Sequence, residues 1–418
     1  MKFLYENSFI EGHDMAQFDE SIKQVSKKMR DALDSRAYEV PESFVYIPDD
    51  EDLLKKIKTL RHDLISPYLK YLVVIGIGGS SLGTKAVYHA LKRGRAYPIM
   101  LFAETCDSDE IKDISDALDG LSARDEFLIC VVSKSGKTTE TLANASFIIS
   151  HISRFKDYKK RIVCITEKHS PLWELASQSD LLCVEIPNVL TGRYSIFSAV
   201  GLLPLSFLFD SLKFCRGARD MRTACLSQDI FKNPSALFAI IQFLSMKAGK
   251  DVFDMFLFSP YLENLGKWYR HLLAESIGKN KFLNVIPTVS IGPPDLHSTL
   301  ERYLGGPNNV ITAFISSDAH SHLTIPESAF GELVEKLKGK AFSNIISILY
   351  EGAKNIYMSR KRSFVEIRLS EISEYTLGEF LMFSMMSVVY LAELMDIDPF
   401  TQPNVEGYKK EVKTLLKH

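Results

Sequence analysis

Five short apolar runs, at 71–75, 99–102, 127–132, 161–166 and 181–186, alternate with helix-patterned stretches near 81–93, 108–118, 139–153 and 171–179. Runs such as FLICVV at 127–132 carry no polar alternation, so they read as strands buried on both faces. Strands of that kind pack in a parallel sheet with helices above and below it. A second set follows, with strands expected at 252–258, 310–316 and 364–369 between helices at 234–248, 261–277, 327–349 and 375–395. The pattern predicts an α/β fold with two doubly wound βα domains built on parallel sheets. The segment at 375–395 is apolar nearly all round, which suggests burial between domains or subunits. Residues 1–70 are polar and helix-patterned at 18–33 and 51–64, broken by Pro41, Pro48 and Pro67. The expected division is an N-terminal helical arm (1–70), a first domain (71–200), a second domain (201–395) and a C-terminal helix (396–418).

In such a sheet chemistry collects where strands run out into loops at the carboxyl edge. After 127–132 the chain turns through Ser133, Lys134, Ser135, Gly136, Lys137 and Thr138 into a helix. Hydroxyls, free helix-start amides and lysine charge converge there, as a phosphate dianion requires. Hydroxyls also cap helices routinely, so the turn alone does not decide between the two. It falls short of a nucleotide-binding loop, because Val131 stands where the first glycine belongs. VIGIGGSSL at 74–82 repeats the strand–turn–helix arrangement. As a dinucleotide fingerprint it fails at Ser81, where a glycine is needed, and no acid closes the next strand before Glu104. Gly78, Gly79 and Ser80 therefore read as a second anion-cradling turn sharing one crevice with the first.

Bulk properties narrow the classes. With 418 residues, 46% of them hydrophobic, the chain is long enough for two cores. A net charge of −2 gives no basic surface for nucleic acid or membranes. Of six cysteines without a CxxC pair, Cys130, Cys164 and Cys183 sit in apolar runs and read as packed thiols of a reducing compartment, and MKFLYENSFIEGHD has no signal-peptide core, so a cytoplasmic protein is expected. The longest uncharged stretch, 194–209, is below the roughly 20 apolar residues of a membrane span.

Four further places carry candidate chemistry. Arg193, after Gly192, could pair with a surface acid or stabilise negative charge on a substrate. Glu275 lies in the last turn of the 261–277 helix, where the dipole opposes negative charge and is expected to raise the carboxyl pKa, as suits a general base. An i,i+4 pair with Lys279 is the plainer reading. His297 follows the rigid turn Gly292-Pro293-Pro294-Asp295 and is either a proton-transfer group or a helix-start cap. Gln402, Glu406 and Lys409 form one stripe of the terminal helix, and Val405, Tyr408, Val412 and Leu415 another, with a solvated lysine as the simplest account. Asp318, His320 and His322 lack a third ligand signal, so no metal site is expected.

In this order, GIGGSSLG at 76–83, SKSGKTTET at 133–141, GRYS at 192–195, ESIGK at 275–279, the 292–297 turn and Gln402 to Lys409 resemble the glucose-6-phosphate isomerase (phosphoglucose isomerase) family, in its shorter bacterial form. The resemblance spans residues 76–409. It implies two sugar-isomerase (SIS) domains, a homodimer sharing its active site across the interface, a sugar-phosphate substrate, and no cofactor or metal. It also implies that Gly79, Ser80, Ser133, Lys134, Ser135 and Thr138 bind the phosphate, with Gly192 beside them. By the same resemblance Glu275 moves the proton between C2 and C1, Arg193 stabilises the enediolate, and His297 and Lys409 assist ring opening. Glu140 would orient His297 and Gln402 would contact the sugar. Thr191, Lys137, Thr401 and Asn404 depart from the family pattern but leave the catalytic types intact. The alternatives are a non-catalytic sugar-phosphate sensor on the same fold and an isomerase that also accepts mannose 6-phosphate.

Overall fold

A computed structural model of the chain describes residues 1–94, 98–319, 321, 323–327 and 330–416. His320 and His322 lie outside the described residues. Among the described residues ten strands, beginning with β1 (Lys2–Leu4), form two five-stranded sheets. The first contains β2 (Tyr71–Ile75), β3 (Ile99–Ala103), β4 (Phe127–Val132), β5 (Ile162–Thr166) and β6 (Leu182–Glu185), all parallel, in the order β3-β2-β4-β5-β6. The second has the order β1-β10-β9-β7-β8, with β7 (Val252–Leu257), β8 (Ile286–Ile291), β9 (Val310–Ser317) and β10 (Phe364–Leu369) parallel.

Two strands depart from the expected pattern. Lys2–Leu4 forms β1 and pairs antiparallel with β10, so the N-terminal segment completes the second sheet as well as supplying helices. β8 carries Pro287 and sits at a sheet edge, where a missing N–H costs little; that proline hid it among loop-like residues. The helix expected at 327–349 is also displaced. Gly331 and Gly339 take positive φ (+49° and +74°), which ends helical geometry, and the helix forms instead over Phe342–Ser359.

Period-two alternation sorts each strand's side chains between layers. Leu72 and Val74 of β2, Leu128, Cys130 and Val132 of β4, and Phe253, Met255 and Leu257 of β7 join one central core between the sheets. Val73, Ile75, Ile129 and Val131 face the outer helices of the first sheet, and Phe256 and Phe314 those of the second. All six residues of β4 are buried, each side chain contributing about 1.5–3 kcal/mol. The Glu374–Leu394 helix, capped by Ser373 at the amide of Thr376, runs through the central core. It is long and apolar enough to cross a membrane, yet 89% of its apolar window is buried inside the protein. Its composition is that of a core helix.

Candidate active site

β2 and β4 are neighbours, and their following connections leave in opposite directions, to β3 on one side and β5 on the other. In such a sheet ligands bind at the carboxyl edge of the switch point, which here lies between the 76–80 and 133–138 turns. Gly76 lets the turns meet: a methyl there would lie 2.9 Å from the Val132 carbonyl and 3.0 Å from the Ser80 Cβ.

The 133–138 turn is pre-shaped. Ser133, buried, donates its hydroxyl to Thr138 Oγ1 at 3.1 Å, and the Lys137 amide donates to Ser135 Oγ at 3.3 Å. Ser135 is exposed at the mouth and Thr138 immediately precedes the Thr139–Ile152 helix, whose first turn carries Glu140. Lys134 donates its ammonium to the Asn188 carbonyl at 2.5 Å, bracing this turn against the one before Gly192. Burial pushes its pKa down, partly opposed by Glu167.

The turn at Gly192–Tyr194 closes on the 78–80 turn. A methyl on Gly79 would stand 2.2 Å from the Gly192 carbonyl carbon and 2.5 Å from the Arg193 nitrogen, so only glycine fits. Arg193 is buried and spends its whole guanidinium on the protein. Its Nε donates to Ser276 Oγ at 2.8 Å, Nη2 donates to the carbonyls of Pro399 and Thr401, and Nη1 stands 3.2 Å from Glu275 Oε2. This single side chain ties the first sheet's edge to the Glu263–Ile277 helix and to the segment entering the C-terminal helix.

Glu275 Oε2 has a second neighbour, His271 Nε2, also at 3.2 Å and one helical turn earlier. Among the described residues Oε1 takes part in no hydrogen bond or ion pair, both contacts falling on Oε2. Burial alone pushes the Glu275 carboxyl up, but the His271 contact and the Arg193 and His271 charges outweigh it, leaving the pKa below the ordinary carboxylate value. The expected rise from the helix dipole is therefore reversed: the Arg193 guanidinium and the His271 ring at contact distance outweigh a terminal partial charge. Lys279 does not pair with Glu275 either. It donates to the carbonyls of Asp398 and Thr401 and to the Thr401 hydroxyl, so one of the residues that departs from the family pattern supports the connection to the C-terminal helix.

Four candidates stand apart within the chain. His297 ends the Pro294–His297 turn, exposed and, among the described residues, with no hydrogen bond or ion pair, and Glu140 makes no hydrogen bond among them either. The two do not touch. Lys409 is exposed and pairs with Glu406 at 2.7 Å; Gln402, half-buried, precedes the Pro403–Leu415 helix, which has no buried residue. Sequence reasoning overlooked His271 and Ser276. The i,i+4 spacing of His271 and Glu275 was the available signal for the first. Ser276 is fully buried and gave none.

Two parallel sheets, with paired small-residue turns at a switch point and a carboxylate clamped beside them, define an α/β protein of the double sugar-isomerase fold. The model of the phosphoglucose isomerase family matches residues 46–286. A glucose-6-phosphate isomerase of Methanocaldococcus jannaschii is 34% identical over 349 residues, covering 83% of this chain and 84% of that protein. A probable glucose-6-phosphate isomerase of Methanococcus maripaludis is 32% identical, covering 94% and 88%. Among solved structures, a glucose-6-phosphate isomerase of Chlamydia trachomatis superposes with TM-score 0.84 at 18% identity over 99% of this chain and 88% of that one, a likeness of fold. The chain belongs to the phosphoglucose isomerase family.

Proposed function

We propose that this chain interconverts D-glucose 6-phosphate and D-fructose 6-phosphate by ring opening and proton transfer through a cis-enediol(ate). The observation that carries the reading is Glu275, a carboxylate with one oxygen held by Arg193 and His271 and the other, among the described residues, without a partner, beside the glycine turn of the crevice. In the aldose-to-ketose direction, Glu275 takes the C2 proton, leaving a C1=C2 enediolate whose negative charge rests on O1; the O2 hydroxyl proton passes to O1, while Glu275 keeps its own. It returns that proton to C1 as the C2 oxygen becomes the carbonyl. The hydrogen moves as a proton, so the redox change stays inside the sugar and no external electron carrier is required. Arg193 supplies fixed positive charge near the developing enediolate. Donors of the 133–138 turn hold the phosphate and position C1 and C2. A non-catalytic sensor would need the phosphate turns but not the clamped carboxylate. The first test is a coupled assay with fructose 6-phosphate: the purified protein is expected to isomerise it without added cofactor and equally well in EDTA. Loss of activity in chelator, restored by a divalent metal, would overturn the metal-independent mechanism.

Ser135 and Thr138 offer two hydroxyl donors, each worth about 1.5–3 kcal/mol against a charged phosphate. Replacing both by Ala is expected to weaken binding of a six-carbon polyol 6-phosphate at least tenfold by calorimetry. An unchanged dissociation constant would put the phosphate elsewhere.

The homodimer enters as part of the same reading. Tyr261, Leu323, Phe342 and Ile348 leave apolar surface exposed, and His297 is exposed and unpartnered. In the proposed dimer His297 and its turn reach the partner's crevice, where Glu140 orients the imidazole. The C-terminal helix brings Lys409 and Gln402 to the sugar. Glu275→Gln and His297→Ala homodimers, each inactive, are unfolded together and refolded. Random mixing makes about half of the dimers hybrid, each with one intact site, so roughly a quarter of wild-type activity should return. No recovery, with hybrids confirmed by mass, would place His297 in its own chain's site.

A further inference from the structure

His271 has a position that calls for an explanation. The ring sits against Gly78, whose φ of +59° and missing side chain leave it room; a methyl there would approach Cε1 to 3.2 Å. Although the side chain is 25% exposed, Nε2 itself is buried and finds no hydrogen-bond partner. It stands 3.2 Å from Glu275 Oε2, an ion-pair contact with that carboxylate. A buried polar nitrogen without a hydrogen bond costs stability. Here it faces the carboxylate and the turn at the crevice.

We propose that His271 is a positioning residue: as imidazolium it shares Glu275 Oε2 with Arg193, holds the carboxyl ionised, and leaves Oε1 as the atom that takes and returns the substrate proton. The proposal rests on the reading of Glu275 as the base. The surrounding charges leave that role to His271 and Arg193. On its own helix Lys267 is ion-paired with Glu263 at 2.7 Å and Arg270 is exposed. The Leu82–Leu91 helix packed against it brings Lys85, ion-paired with Glu104, and His89, which burial drives down to about 4. Glu379 of the central helix is taken by the N-terminal amine at 2.7 Å, Lys279 is turned to backbone carbonyls, and β8 carries no charge. Arg193 is committed on every nitrogen, so it cannot follow the carboxylate if it swings. His271, one helical turn from Glu275, can.

A histidine is cationic at the acid end of the profile, where a carboxylate begins to protonate. Removing that charge lets Glu275 protonate at higher pH, so the acid limb of activity moves up. The experiment follows kcat against pH in the first seconds after a jump from pH 7, for the wild type, His271→Gln and His271→Ala. Turnover at saturation is read because the free substrate's phosphate itself titrates near pH 6. In both variants the acid limb is expected to rise by about one pH unit, as for loss of an opposite charge at contact distance. His271→Gln, which can still donate a hydrogen bond, should retain more of kcat at pH 8 than His271→Ala. Both should bind the polyol 6-phosphate as the wild type does, which shows the crevice intact. An acid limb unmoved in His271→Gln would overturn the proposal, and that variant alone decides if His271→Ala does not fold. A wild type that does not isomerise at all would instead overturn the function proposed above.

Discussion

Glu275→Gln is expected to lower kcat by about 10²–10⁴-fold, the range a positioned general base contributes. The amide keeps the length and shape of the side chain. Its oxygen can still meet Arg193 Nη1 and His271 Nε2, so the crevice should keep its form. What disappears is an atom able to take a proton from carbon. The decisive measurement is exchange of the C2 hydrogen of glucose 6-phosphate with deuterated solvent, alongside calorimetric binding of the polyol phosphate. Exchange should vanish while the dissociation constant changes little. Exchange near the wild-type rate would leave Glu275 as a partner of Arg193 and His271 and nothing more.

Arg193→Met is expected to cost about 3–5 kcal/mol of stability, the loss seen when one partner of a buried ion pair is removed. The figure is large because several groups are stranded together: the Glu275 carboxylate, the Ser276 hydroxyl, and the Pro399 and Thr401 carbonyls. Arg193→Lys keeps the charge but not the planar fork of donors, so it should recover only part of the loss. Urea midpoints read the difference, and an unshifted midpoint for Arg193→Met would refute the bracing role. The pH sign follows from Glu275, whose folded pKa lies below its unfolded one. Its contribution to stability is complete above the ordinary carboxylate pKa of about 4.3 and is lost as pH falls through the lower folded value. Arg193→Met should weaken this acid-side loss, because the variant no longer holds the carboxyl down.

Local pattern carries some conclusions and not others, and the site shows where the line falls. β2, β4, β10 and the Thr139–Ile152 helix lie at the boundaries read from the sequence, because unbroken apolar runs and helix starts are properties of neighbouring residues. The sequence determined by itself the βα alternation, the two small-residue turns and the family of their motifs. It could not determine what meets across the fold. Arg193 and Ser276 are 83 residues apart, yet form one hydrogen bond at the centre of the site. The apposition of His271 and Gly78 exists only once the Glu263–Ile277 helix packs against the first sheet's edge. The same packing reversed the pKa read from the helix dipole, since the dipole and His271 are local to Glu275 while Arg193 reaches it only across the fold. β1 needed β10, more than 350 residues away, to be a strand at all. Short-range periodicity writes the elements; the charges and donors that act on Glu275 are set by tertiary contact, because electrostatic energy depends on distance in space and not along the chain.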